Sequence, residues 1–503
     1  MKESTASYRR ILKSTSLIGG ASLANIGIGL LRSKVLAVLL GPAGMGLASL
    51  FSGLLGTASS IATMGLGSVG TRQIAEAYSK GDDRTLVVAR RALFLGSLAL
   101  SIVGGLVVWS LRTVLAVHTL GNASYGGSVG WLAVGVTLSV GAASQSALIQ
   151  GMRRIGDIAR LNVIGSAGST ALGLACLWMW GKHGLIAYVV SAPLVTFVVG
   201  HIYVSMLPRP SDFRPTLVDL TAEWKILFRL GVAMLGAGLV GQLAQLWIRI
   251  DIAHVLGQQS LGQYQAAWTI SMQYVTFVLA AMATDYYPRL TGVIHDREAA
   301  TRLVNEQAEI ALLLASPILI LFMALTPWLV HLLYARSFGP SASILRWQIL
   351  GDVLKVASWP LGFTIVAAGD GKTFFASETF SWIVCAGCIA LLMPAFGLRM
   401  TGIAYFAMYA LYLPLVYWLA RRRIGYRWKR AVLALVGSSL VLCAVVGVMA
   451  AVSIWGAVLG VTAAATFAVF SLGRIARMSN IGGPVGTLST IVSAIPFPKV
   501  TFR

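Results

Sequence analysis

The chain has 503 residues, of which 57% are apolar and only 11% charged, with a formal net charge of +22 and a mean hydropathy of +0.79. A soluble domain carries roughly 25% charged residues, so a water-facing globule is excluded. The apolar runs lack the strict two-residue alternation of a β-barrel, and the cations sit between those runs rather than on one soluble face, which excludes a nucleic-acid partner.

Taken in chain order, runs of about 20 apolar residues, the length that crosses a hydrocarbon core, predict six spans at 12–38, 45–70, 86–109, 128–150, 161–180 and 184–206. Six more follow at 226–250, 263–285, 308–332, 343–367, 373–394 and 400–420, and a last pair at 431–452 and 454–472. The expected fold is an all-α membrane protein of about 14 transmembrane helices. It comprises two pseudo-symmetric six-helix bundles plus two C-terminal helices. The corresponding domains are an N-terminal bundle at 1–207, a cytoplasmic linker at 208–225, a C-terminal bundle at 226–425, the additional pair at 426–475 and a cytoplasmic tail at 476–503.

Alternate loops carry 30 of the 39 Lys and Arg residues on one side and 5 on the other, with 4 inside spans. Because basic loops stay in the cytoplasm, both termini are expected there, in a bacterial inner membrane. The basic, then apolar, N-terminus reads as an uncleaved first helix rather than a signal peptide. Cys176, Cys385, Cys388 and Cys443 all fall within spans. Cys385 and Cys388 read there as small hydrophobes, and the sequence offers no disulfide, metal site, cofactor site or catalytic residue.

An internal repeat runs at an offset near 216. Leu40-Gly41 and Gly46 face Leu256-Gly257 and Gly262, Trp131 faces Trp347, and Gly135 faces Gly351. Gly184-Leu-Ile-Ala-Tyr188 answers Thr401-Gly-Ile-Ala-Tyr405, and Arg32 and Lys34 stand where Arg249 and Asp251 stand. Six spans per repeat return the chain to its starting side, so the halves share orientation, as in transporters that work by alternating access.

Ionisable groups within spans are costly and face a cavity or a partner. Here they are Arg32, Lys34, Arg249 and Lys355, the candidate substrate-binding cations of a polar lumen, and Asp251, Asp352 and Glu378, the candidate coupling acids. Asp352 and Lys355, at i and i+3 on span ten, share a face and can pair. Arg249 and Asp251 are read as a second such pair. Pairing that only fixes helix register is the structural alternative for both, and snorkelling to the outer interface is the alternative for Arg32 and Lys34. His254, one turn after Asp251, reads as an interfacial polar residue or a group titrating with that acid. Gly65-x-Gly67-x-x-Gly70 matches a dinucleotide fingerprint, but no strand precedes it. Gly371-Lys372-Thr373 lacks the first glycine of a P-loop and reads as a short turn. Trp and Tyr near span ends read as interfacial belts.

The string Arg346-Trp-Gln-Ile-Leu-Gly-Asp352-Val-Leu-Lys355-Val356 resembles the Trp-Gln-x-x-Gly-Asp-x-x-Lys stretch of Wzx-type O-antigen and common-antigen translocases. Lys34-x-Leu-Ala and Leu40-Gly-Pro-Ala-Gly-x-Gly-Leu47 resemble the same family, over about residues 10–425. The resemblance implies a V of two six-helix bundles and a cationic lumen. It implies export of an undecaprenyl-pyrophosphate-linked oligosaccharide, coupled to an ion gradient, with a polymerase and a chain-length regulator as pathway partners and membrane lipids around it. Spans thirteen and fourteen depart from the twelve-span pattern and resemble those of lipid II flippases. A multidrug cation extruder of the same superfamily would predict an acidic lumen. A membrane-embedded polymerase or ligase would predict large outer loops bearing His, Asp and Glu.

Overall fold

The computed structural model describes residues 2–208, 213 and 215–479. The expected tail lies outside the described residues beyond Ser479, as do residues 209–212 and 214 of the expected linker. Among the described residues the chain is helical, with no β-strand. The helices are α1 (Lys2–Thr63), α2 (Leu66–Lys80), α3 (Asp83–Ser110), α4 (Arg112–Leu120), α5 (Gly126–Gly151), α6 (Ile155–Trp180) and α7 (Leu185–Ser205). They continue as α8 (Leu217–Val293), α9 (Arg297–Leu333), α10 (Ser341–Ala367), α11 (Gly371–Phe396), α12 (Arg399–Ile424), α13 (Arg430–Val452) and α14 (Ile454–Ser479). Ten helical stretches among the described residues are long and apolar enough to cross a membrane.

Two compact units partition the chain. The first runs through Gly262 and takes in Leu333–Ala335, and the second holds Gln263–Leu332 and resumes at Arg336. The division therefore falls inside α8.

In the first unit, Leu66, Val69, Ile74, Leu93, Ile149, Leu161 and Leu227 form a closed apolar core, and the Trp224 indole donates to the Ala92 carbonyl at 2.9 Å. The longest helices are broken by glycine. At Gly41 (φ 64°, ψ −171°) α1 leaves helical geometry, and at Gly257 (φ 84°, ψ 166°) α8 does the same. Both conformations are nearly closed to residues with a Cβ. The two breaks lie 216 residues apart, as the repeat has them, and they meet. A Cβ at Gly46 would collide with the Gln258 carbonyl, and a Cβ at Gly262 with the Pro42 carbonyl. Each copy of the Leu-Gly-x-x-x-x-Gly motif thus supplies the glycine that admits the other's backbone.

Span two was expected to continue to residue 70. Instead the helix stops at Thr63 and restarts at Leu66, because Met64 (φ 44°) and Gly65 (φ 72°) are left-handed. The cause is close packing, since Gly65 lies directly against Gly231.

In the second unit, Tyr286, Leu290, Leu303, Leu361, Val416, Ile424 and Tyr426 form the core. The last two helices are fixed to α9. Ser439 donates to Ser316 Oγ at 2.7 Å, Gly447 abuts Met323, and Arg474 pairs at 2.5 Å with Glu309, whose side chain is buried.

Candidate functional site

The charges expected within the spans sort between the two units. Asp352, Lys355 and Glu378 fall in the second unit, and Arg32, Lys34, Arg249 and Asp251 in the first.

The second unit is built around the packing of α10 on α12. Gly351 and Gly402 make it close. A Cβ at Gly351 would lie 2.7 Å from Tyr405 Cδ1, and one at Gly402 would lie 2.7 Å from the Ile344 carbonyl. With Gly351 bare, the Tyr405 ring comes down beside the next residue, Asp352, which is fully buried. The Tyr405 hydroxyl donates to Asp352 Oδ1 at 2.8 Å, and Ser271 Oγ donates to Oδ2 at 2.7 Å. A carboxylate in a nonaqueous interior persists only when such donors replace water. Trp268 meets Tyr405 edge-on at 5.6 Å and closes that side.

Lys355 does not form the expected ion pair with Asp352. Among the described residues no salt bridge joins them. The Lys355 Nζ lies 3.3 Å from the Met272 sulfur and 5.8 Å from the Tyr409 ring centroid. The carboxylate is occupied by two hydroxyls, and the ammonium turns to softer partners one turn away. Glu378, on α11, accepts from the Tyr412 hydroxyl at 2.6 Å. Tyr405, Tyr409 and Tyr412 recur at i, i+4 and i+7, which places them on one face of α12. Their rings follow one another at 5.1 Å and 6.1 Å. A file of three phenols therefore runs from Asp352 to Glu378, with Lys355 over its middle member. Tyr405 enters the sequence analysis only as the end of the repeated motif, and Tyr409 and Tyr412 are not singled out there. The signal that could have found them is their helical spacing opposite an intramembrane acid.

In the first unit, Arg32 donates through Nε to the Tyr188 hydroxyl at 2.7 Å, and its guanidinium lies 4.5 Å from the centroid of the same ring. Lys34 donates to the Tyr334 carbonyl at 2.5 Å. Arg249 lies against Gly53, where a Cβ would come within 2.7 Å of its Nη1. Asp251 Oδ2 is shielded from solvent and, among the described residues, has no hydrogen-bond partner. No Arg249–Asp251 salt bridge occurs among the described residues, because positions two apart on a helix do not face each other. His254 lies beside Gly121.

The turn before α11 resolves the Gly371-Lys372-Thr373 look-alike. Asp370 caps the helix, accepting from Thr373 N at 2.9 Å and Thr373 Oγ1 at 2.6 Å, and it pairs with Arg423. Those two Thr373 bonds, with Arg423, hold its carboxyl down at about 2.

A model of the family described as polysaccharide biosynthesis protein matches residues 35–343. The lipid III flippases of Escherichia coli (strain K12) and Shigella flexneri are each 25% identical over 440 residues, covering 82% of this chain and 99% of theirs. Among solved structures, the lipid II flippase MurJ in an inward closed conformation aligns with a TM-score of 0.68 at 11% identity, covering 92% of this chain and 99% of that one. An inward-facing MATE family multidrug resistance transporter of the MOP superfamily aligns at 0.60 and 17% identity, covering 82% and 94%. A Pyrococcus furiosus MOP superfamily transporter, described as having a binding pocket of reverse polarity, aligns at 0.60 and 18%, covering 82% and 96%.

Proposed function

Since the chain belongs to the polysaccharide biosynthesis protein family, we propose that it is a transporter, not an enzyme, that flips an undecaprenyl-pyrophosphate-linked oligosaccharide from the cytoplasmic to the periplasmic leaflet for O-antigen or exopolysaccharide synthesis. The observation that carries this reading is the end-to-end match to the lipid III flippases, 99% of whose length is covered. The MOP-type fold supports it. In this reading the chain crosses a bacterial inner membrane 14 times, with Gly41 and Gly257 as turns between spans and both termini in the cytoplasm. The two repeats, 1–207 and 226–425, work by alternating access, and a polymerase and a chain-length regulator take the product onward.

Arg32, Lys34, Arg249 and Lys355 are assigned to the cargo. Four intramembrane cations suit a pyrophosphate and disfavour a cationic drug, because Arg and Lys recognise phosphate oxygens through charge-assisted bonds. Asp251, Asp352 and Glu378 are assigned to energy coupling by proton exchange. The tyrosine file supports that role for the last two, since each phenol can donate and accept one proton.

The test is flipping of a lipid-linked oligosaccharide in proteoliposomes with and without an imposed pH gradient. The expected result is net flipping that the gradient accelerates. Flipping indifferent to the gradient would refute the coupling alone, whereas no flipping under either condition would refute the function.

A further inference from the structure

Beside the start of α9 and the segment joining α12 to α13 lies a cavity of about 570 Å³, within the roughly 300–1,000 Å³ range of small-molecule sites. Its charged lining consists of Arg297, Arg302, Arg427 and Lys429 against one carboxylate, Glu298. All four cations are exposed, and among the described residues no salt bridge involves any of them.

The site is built rather than loose. Asn305 is buried and uses both ends of its amide on the joining segment. Its Nδ2 donates to the Arg427 carbonyl at 3.0 Å, and its Oδ1 accepts from Lys429 N at 2.9 Å and from the Tyr426 hydroxyl at 3.1 Å. Between those two cations, Trp428 stacks on Tyr417 with centroids 6.0 Å apart and planes 13° apart. One buried amide and one stacked indole therefore fix the backbone that presents half of the positive charge.

Its depth follows from helix length. α9 has 37 residues, or about 55 Å at 1.5 Å per residue, against a hydrocarbon core of roughly 30 Å. All of its Asp, Glu, Lys and Arg residues lie at or before Glu309, ahead of its apolar run, so it is the first turns, with Arg297 and Arg302, that belong outside the core, and a Trp such as Trp428 suits the headgroup level there. Three arginines and a lysine that form no salt bridge among the described residues and outnumber the one carboxylate beside them, in a concave site at that depth, match the phosphodiester of an anionic lipid.

We infer that this cavity binds the phosphate headgroup of an anionic membrane lipid, separately from the cargo and its charges. Full-length protein in detergent micelles is offered equal amounts of phosphatidylglycerol and phosphatidylcholine, and native mass spectrometry counts the lipid retained. The expected result is selective retention of phosphatidylglycerol. The double variant R302Q/R427Q weakens it by about thirtyfold, the weight of two surface cations. The charge-matched double variant R160Q/K182Q leaves it unchanged. Undiminished retention by R302Q/R427Q would overturn the site, and equal loss in both variants would reduce it to diffuse surface charge. Saturable binding of inorganic phosphate that R302Q/R427Q abolishes, without preference between the two lipids, would overturn the lipid assignment.

Discussion

Tyr188 and Tyr405 close the same repeat motif, and each holds an intramembrane charge of opposite sign. In the first unit Tyr188 accepts from Arg32 and offers its ring face to the guanidinium. In the second unit Tyr405 donates to Asp352. A phenol can play both parts because its oxygen carries one proton and also accepts, while its ring face is negative. The surroundings differ accordingly. Arg32 is half-buried, whereas Asp352 is fully buried and needs a second donor, Ser271. A repeat can therefore preserve the position of a polar anchor while reversing the charge it anchors.

The sharpest break in that comparison is removal of the acid. Asp352→Ala is expected to abolish surface polysaccharide in cells while the protein still reaches the membrane, and so is Lys355→Ala, measured as lipid-linked sugar reaching the outer leaflet. Polysaccharide at the normal level in either variant would show the second unit's charges to be dispensable. The two tyrosines then divide. Tyr405→Phe leaves Asp352 short of a donor in a buried site, a loss of about 1–3 kcal/mol, and thermal unfolding in detergent should register it. Tyr188→Phe keeps the ring under Arg32 and loses only the acceptor, so its cost should be nearer 0.5–1.5 kcal/mol. Equal effects would mean that burial does not distinguish the two sites. The smallest expected effect lies outside both. The depressed carboxyl of Asp370 contributes stability that is present above the ordinary carboxylate range near 3.8 and is lost as pH falls toward about 2. Asp370→Ala should therefore lower the melting temperature at pH 7 and make it less dependent on pH between 4 and 2.

The sequence announces the helices because a bilayer demands long apolar runs, and it announces Asp352, Lys355 and Glu378 because charge inside such runs is rare. The breaks at Gly41 and Gly257 were visible as a repeated Leu-Gly. The partners were not. Ser271, Tyr405 and Tyr412 are residue types common in any membrane helix, and what sets them apart is that Gly351 and Gly402 let α12 approach α10. That information is spread over two helices and has no local pattern. The expected pairs failed for a related reason. Helical spacing says which residues share a face, but the carboxylate of Asp352 goes to whichever donors the neighbouring helices deliver. The break at Met64–Gly65 was equally hidden, since only Gly231, far along the chain, explains why the helix stops there.

The reciprocal contact of Gly46 with Gln258 and of Gly262 with Pro42 also sets a schedule. Its two sides are made 216 residues apart. At a synthesis rate of about 5–20 residues per second, the first glycine waits on the order of 10–40 s for the second. During that interval the segment after Gly41 lacks the backbone it packs against, and the early helices stay in the membrane through their own apolar length. The clasp is thus one of the last parts of the first unit to form, and a ribosome stalled before residue 262 would leave a first unit that is inserted but still open at its bend.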